Sequence, residues 1–234
     1  MTETSPQRFN VLAQWGPRAE DARAVATRTA ATLVMLRELG GAWRAPLSSD
    51  GIVVDDADVE AAVRAQPLTN DAGDDLSHLG YQPAFTLGEL SEATTAPDHA
   101  ALKITSSSIS TTSGVPVSSA LLVAQGARYV EPLLAHALTV TATMGDTWGA
   151  SAASLRDMSL MRAEATAPRH VGFPVWGYVA WLADTVFDAT APVAGASVTC
   201  VGEGALLVVN DRTTEATVKV WGELLRSGRL GRIA

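Results

Sequence analysis

At 234 residues and 47% hydrophobic content the chain can bury a substantial core, and its length allows one large domain or two small ones. Its 17 basic against 25 acidic side chains give a formal charge of -8, a field that repels nucleic acid and anionic membrane and attracts a basic partner. A single cysteine, Cys200, excludes an internal disulfide framework and any multi-cysteine zinc site.

The opening MTETSPQRFN has neither a basic n-region nor an apolar h-region, so cytoplasmic residence is the default expectation, with residues 1–7 read as a flexible tail. Arg8 to Gln14 alternates Phe9, Val11 and Ala13 against Arg8, Asn10, Leu12 and Gln14, the period of a strand. Gly16 and Pro17 then suit the N-cap and first position of a helix, with Glu20 and Asp21 in its first turn against the positive end of the dipole. Ala22, Val25, Ala26, Thr29, Leu33 and Leu36 recur at helical steps, Gly40-Gly41 supplies the stop, and Trp43 is placed to cover the helix end.

From Asp50 to Asp75 the composition changes. Eight carboxylates (Asp50, Asp55, Asp56, Asp58, Glu60, Asp71, Asp74 and Asp75) face one arginine, Arg64. Asp55, Asp56 and Asp58 are expected to open a short helix through Val59, Val63 and Ala65, and the Gly/Asp-rich remainder reads as an exposed loop. The tract LKITSSSISTTSG suits a half-exposed strand pairing with Val117 to Gln125 across a turn at Gly114 and Pro116. Tyr129 to Met144 reads as one helix with Pro132 in its first turn and Gly145 closing it, and Trp148 to Met161 as a segment whose beginning leans to strand. The apolar window VGFPVWGYVAWLADTVF is broken by Gly172, Pro174, Gly177 and Asp184, short for a membrane span, and reads as buried. Ser197 to Val201 and Ala205 to Val209 form a hairpin around a three-residue loop, Gly202-Glu203-Gly204. A last helix runs from Thr214 to Ser227 with Val220, Trp221, Leu224 and Leu225 inward. This order argues an α+β fold, a single domain with a mostly antiparallel sheet packed by three or more helices.

The chain is poor in catalytic signals. His78, His99, His136 and His170 have no metal-ligand spacing, no G-x-S-x-G elbow occurs, and VGEGAL lies between strands rather than opening a helix. No cofactor or metal is expected. The acidic segment admits a solvated face, a surface for a cationic cleft, or a hard-cation site, although the regular ligand spacing of a calcium loop is missing. Cys200, in an apolar run, reads as a buried thiol, and most of the six tryptophans as core.

The strand followed by Trp15-Gly16-Pro17-Arg18, the alanine-rich helix after Glu20, and Trp43 beyond it resemble the immunity protein 52 family of bacterial polymorphic toxin systems. Gly177-Tyr178-Val179-Ala180-Trp181-Leu182 is similar to that family's Gly-Trp-x-x-Tyr-Leu segment, with Tyr178 and Trp181 exchanged, and the closing hairpin and helix to Gly228-Arg229-Leu230 has the family's shape. Residues 50–119 match nothing diagnostic. The resemblance implies a catalytically inert protein that neutralises a cognate toxin by stoichiometric binding, the toxin being a nuclease of restriction-endonuclease fold with a basic cleft. The resemblance leaves the partner-facing region unassigned; the charge of the acidic segment makes Asp55, Asp56, Asp58, Glu60, Asp71, Asp74 and Asp75 the expected partner face, without direct nucleic-acid or membrane binding. Trp15, Gly16, Pro17, Arg18, Trp43, Tyr178 and Trp181 are read as structural, Arg18 pairing with Glu20 or Asp21 or else reaching the partner. An unrecognised hydrolase-like enzyme and a homo-oligomeric scaffold are the other readings.

Overall fold

The alternating run at the N-terminus becomes β1 (Arg8–Trp15), the middle strand of the sheet in the computed structural model, which describes residues 7–39, 46–48, 58–70, 72–87, 98–108, 118–167 and 172–233. After it come α1 (Ala22–Glu38), β2 (Pro46–Ser48), α2 (Val59–Arg64), β3 (Gly80–Tyr81), β4 (Ala84–Leu87), β5 (His99–Ser107) and β6 (Ser118–Gln125). The second half holds α3 (Ala127–Ala135), α4 (Ala137–Thr147), β7 (Ala152–Asp157), α5 (Met158–Thr166), β8 (Val179–Ala183), β9 (Ala196–Val201), β10 (Gly204–Val209) and α6 (Thr214–Arg226). The strand order is β2-β4-β5-β6-β1-β7-β8-β10-β9, with β3 pairing to β5, and every pairing is antiparallel. This is an α+β fold.

Period two in the sequence divides the sheet into two faces. Phe9, Val11, Ala13 and Trp15 share one face with Ala124, Leu122 and Ala120 of β6 and with Ala100, Leu102 and Ile104 of β5, all buried. Helix α4 packs there against β1, β7 and β8, and α1 packs on α4 and α2. The other face is covered over β7 and β10 by α5 and α6, which also pack on each other. Two buried polar side chains of β1 reach that second layer: Asn10 Nδ2 donates to Met161 Sδ at 3.3 Å, and Gln14 Oε1 accepts from Val175 N at 3.4 Å.

Several expectations change. Helix α1 begins at Ala22, not beside Gly16: the Arg18 N–H is bound to Ser107 O at 2.8 Å, and Asp21, in extended conformation, caps the helix by accepting from Ala24 N at 2.8 Å. An aspartate cap satisfies a first-turn donor, which glycine cannot do. The single helix expected from Tyr129 is two, broken at His136 (φ -111°, ψ 20°). Pro132 sits in the interior of α3, where it removes a backbone donor four residues before the break. Gly145 does not close the helix, which continues to Thr147. The hairpin loop has two residues, since Gly204 belongs to β10. Cys200 is exposed on the terminal strand β9, because an uncharged run at a sheet edge reads in sequence like a buried one. Gln7, assigned to the tail, accepts from Gly126 N at 3.0 Å.

Candidate partner-binding surface

The described part of the acidic segment, from Asp58 on, forms a short helix and a tight ribbon. Asp58 stands at the N-cap position of α2 without a side-chain cap bond, and Glu60 pairs with Arg64 one turn on, Oε1 accepting from Nε at 3.1 Å and Nη2 at 2.5 Å. The chain then turns back along β3 through the bridges Pro67↔Tyr81 and Thr69↔Asp75. Asn70 Oδ1 accepts from the N–H groups of Ala72 and Asp74 at 3.0 and 2.9 Å, Asn70 Nδ2 donates to Asp74 Oδ2 at 2.8 Å, and Asp75 Oδ1 accepts from Ser77 N at 2.6 Å. Asn and Asp close such turns because their short side chains mimic a backbone acceptor. The result is a locally fixed loop with Asp74 and Asp75 exposed at its tip and Asp58 exposed on α2. Ser108 N donates to Leu79 O at 2.8 Å, so the ribbon lies past the Ser107 end of β5. Asp50, Asp55, Asp56 and Asp71, with Trp43, lie outside the described residues. Among the described residues no group of three or more His, Cys, Asp or Glu side chains is placed to hold a metal ion.

The Trp15 to Arg18 junction is architectural, with Trp15 buried, Gly16 and Arg18 half-buried and Pro17 exposed. The rings of Trp15 and Trp148 stack with centroids 5.0 Å apart and planes 13° from parallel, and Trp148 Nε1 donates to Thr32 Oγ1 of α1 at 3.0 Å. Gly16 and Pro17 carry the chain off the sheet to Arg18, whose guanidinium lies 5.5 Å from the Trp15 centroid and donates to Trp148 O at 2.9 Å. Beneath it Glu20, its side chain only 3% exposed, accepts from Ser106 Oγ at 2.6 Å and is paired with both Arg18, at 3.2 Å, and Arg28. Burial lowers the pKa of Arg18, and burial followed by the charge of Arg18 lowers that of Arg28. One carboxylate thus ties the strand end, α1 and β5 together. Its burial is not visible in the sequence, where Glu20 resembles an ordinary first-turn acid.

The Gly177 to Leu182 segment has the same character. Tyr178, 4% exposed, shares its hydroxyl with Asp157 Oδ1 at 2.9 Å and Thr214 Oγ1 at 3.1 Å, so it joins the start of α5 to the start of α6. Burial is the main cause that raises its pKa to about 12. Trp181 Nε1 donates to Val201 O at 3.2 Å, and Trp221 Nε1 to Gly177 O at 3.0 Å.

A feature missed in the sequence is the outer face of β5 and β6. His99 and Lys103 are exposed there, with Ala101 and Leu121 half-buried, and register aligns Arg8, Gln125 and His99 across β1, β6 and β5. Burial first, then the charges of Arg8 and Lys103, lowers the pKa of His99. The period-two pattern of His99 to Thr105 carried this signal. A depression of about 640 Å³ is lined by the 184–190 turn, Cys200, Arg229 and Gly231. An apolar cleft of about 370 Å³ lies between Phe173, Trp176, Val218 and Leu225.

No family model matches the chain, and no curated protein matches it in sequence. Among solved structures, the T6SS protein PA0821 of Pseudomonas aeruginosa is similar over 98% of this chain and 78% of its own, with 12% identity and a TM-score of 0.48. A likeness at that level shows no function. No helix among the described residues is long and apolar enough to cross a membrane.

Proposed function

We propose that this chain is an immunity-type binding protein, without catalysis of its own, that neutralises a toxin by stoichiometric contact. The observation that carries the reading is the acidic ribbon: Asp74 and Asp75 are exposed on a turn already closed by the hydrogen bonds of Asn70, Asp74 and Asp75. A fixed turn loses little conformational freedom on docking, and its charge favours a cationic cleft of the kind a nuclease uses to hold phosphates. Opposite potentials speed the encounter and reject unsuitable partners. The resemblance of the Trp15 to Arg18 and Gly177 to Leu182 segments to the immunity protein 52 family supports the same reading, because their aromatic side chains Trp15, Tyr178 and Trp181 are buried scaffolding and the exposed acidic turn stands apart from them.

The test is to express each protein encoded beside this one with and without the chain and to measure growth. The toxic protein is then mixed with the purified chain and its nuclease activity titrated. Protection at a one-to-one ratio is expected. The variant Asp74→Asn/Asp75→Asn keeps the oxygen acceptors of the turn but removes two charges, and should slow association at low salt. If no neighbouring protein is toxic, or none is inhibited, the function fails; if inhibition is intact and association unchanged in the variant, only the docking face fails.

A further inference from the structure

The terminal strand β9 has the sequence ASVTCV, with neither a charged residue nor a proline. Sheet edges are ordinarily guarded by such residues, since an open row of N–H and C=O groups pairs with any extended chain. The groups of β9 without a strand partner among the described residues follow from the alternation. Val209 N donates to Tyr178 O, on the β8 side, so alternation in β10 directs Gly204, Leu206 and Val208 toward β9. Their register partners Val201, Thr199 and Ser197 bond inward. Val198 and Cys200 therefore point both backbone groups outward, while Ala196 N is bound to Val193 O at 3.2 Å.

We infer that two copies of this chain pair through β9, antiparallel about a two-fold axis at Thr199, to make one continuous sheet. In that register Val198 of each copy faces Cys200 of the other, and the two backbone groups of each of these residues are satisfied on both strands. A shift of two residues one way sets Val198 against Gly202 in the turn; the other way calls on the occupied N–H of Ala196. A second copy fits because the strand is its own complement: uncharged, with its two free residues placed symmetrically around Thr199. The axis also sets the two Glu203 carboxylates at opposite ends of the pairing, so no like charges meet. Thr199, exposed, faces its own copy in a non-hydrogen-bonded pair with Cα atoms about 4.5 Å apart. This inference is independent of the toxin-binding reading.

Sedimentation equilibrium of the full chain tests it. A concentration-dependent species of twice 24.4 kDa is expected. Val198→Pro removes an outward N–H without touching the β10 ladder, so it should remain folded by circular dichroism and sediment as a monomer. Thr199→Lys and Thr199→Glu each place like charges across the axis and should each weaken association about fivefold, whereas their equimolar mixture should recover it. A wild-type chain that stays at 24.4 kDa up to its solubility limit overturns the inference, as would happen if β9 served a toxin strand alone. A dimer indifferent to Val198→Pro, or a Lys/Glu mixture no tighter than either variant, overturns it as well.

Discussion

The ring of Trp181 occupies the space beside Gly145: a Cβ on that glycine would stand 2.4 Å from Trp181 Cε3. The ring cannot withdraw, because a Cβ on Gly204 at its other edge would lie 2.8 Å from Cζ2, and Trp181 Nε1 is held by Val201 O. Two glycines thus form the slot for one tryptophan between α4 and the β9/β10 hairpin. In an open helix, glycine to alanine gains about 1 kcal/mol of helix propensity. Overpacking a rigid ring costs about 1–3 kcal/mol, so Gly145→Ala is expected to destabilise on balance. Urea denaturation measures the sign, and a more stable variant would refute the slot.

Glu20 supplies the second prediction. Its carboxylate is nearly sealed from solvent between two arginines whose side chains remain about a third exposed, 33% for Arg18 and 29% for Arg28. Removing one partner of a buried pair costs about 3–5 kcal/mol. Partial exposure of the guanidiniums screens that loss, so Glu20→Gln should cost about 2 kcal/mol. Thermal unfolding of Glu20→Gln beside Arg28→Gln checks the assignment. If Glu20→Gln is no worse than Arg28→Gln, the carboxylate is not the centre of the cluster.

The elements that were legible are those whose signal is local. The alternation of β1, the pairing of β5 with β6, the β9/β10 hairpin and the amphipathic α6 follow from period and cap residues within a few positions. What could not be read depends on the neighbour. Gly145 and Gly204 look like a helix stop and a turn residue, and only the position of Trp181 makes them packing sites. Cys200 looks buried until the strand order places β9 at an edge. The acidic segment was legible as charge, but its division into a paired Glu60 and an exposed Asp74 and Asp75 required the Arg64 contact and the Asn70 turn. His99 and Lys103 share one strand, but Arg8 is far from them in sequence and comes beside His99 only through register.

Tyr178 should make alkaline stability steep. Burial holds its folded pKa at about 12, against 10.0 for a free tyrosine. A folded value above the unfolded one gives stabilisation fully present below pH 10 and lost as pH rises toward 12, because in that window the unfolded chain has released the proton that the native state retains. The slope is about 1.4 kcal/mol of lost stability per pH unit. In Tyr178→Phe this slope should vanish, while stability at neutral pH drops by about 1 kcal/mol through loss of the contacts to Asp157 and Thr214. Parallel denaturation series at pH 8 and in the window separate the two effects; identical slopes for both proteins would remove Tyr178 as the titrating group.

Arg229 holds the turn between β8 and β9. Its guanidinium lies 5.4 Å from the Phe187 ring centroid and donates to Asp188 O at 3.2 and 2.6 Å, to Ala191 O at 2.6 Å and to Pro192 O at 3.0 Å. The backbone locks the same place, with Asp188 N bound to Arg229 O and Gly231 N to Val186 O. Only a planar fork reaches three carbonyls at once, so Lys should substitute poorly. Arg229→Ala and Arg229→Lys are both expected to lower the free energy of local opening of this turn by about 1 kcal/mol. The diagnostic loss is local: amide exchange at Asp188 and Gly231 should accelerate while amides of β1 and β6 keep their protection. Equal acceleration throughout would mean that Arg229 supports the whole fold, and unchanged exchange at Asp188 that the turn stands without it.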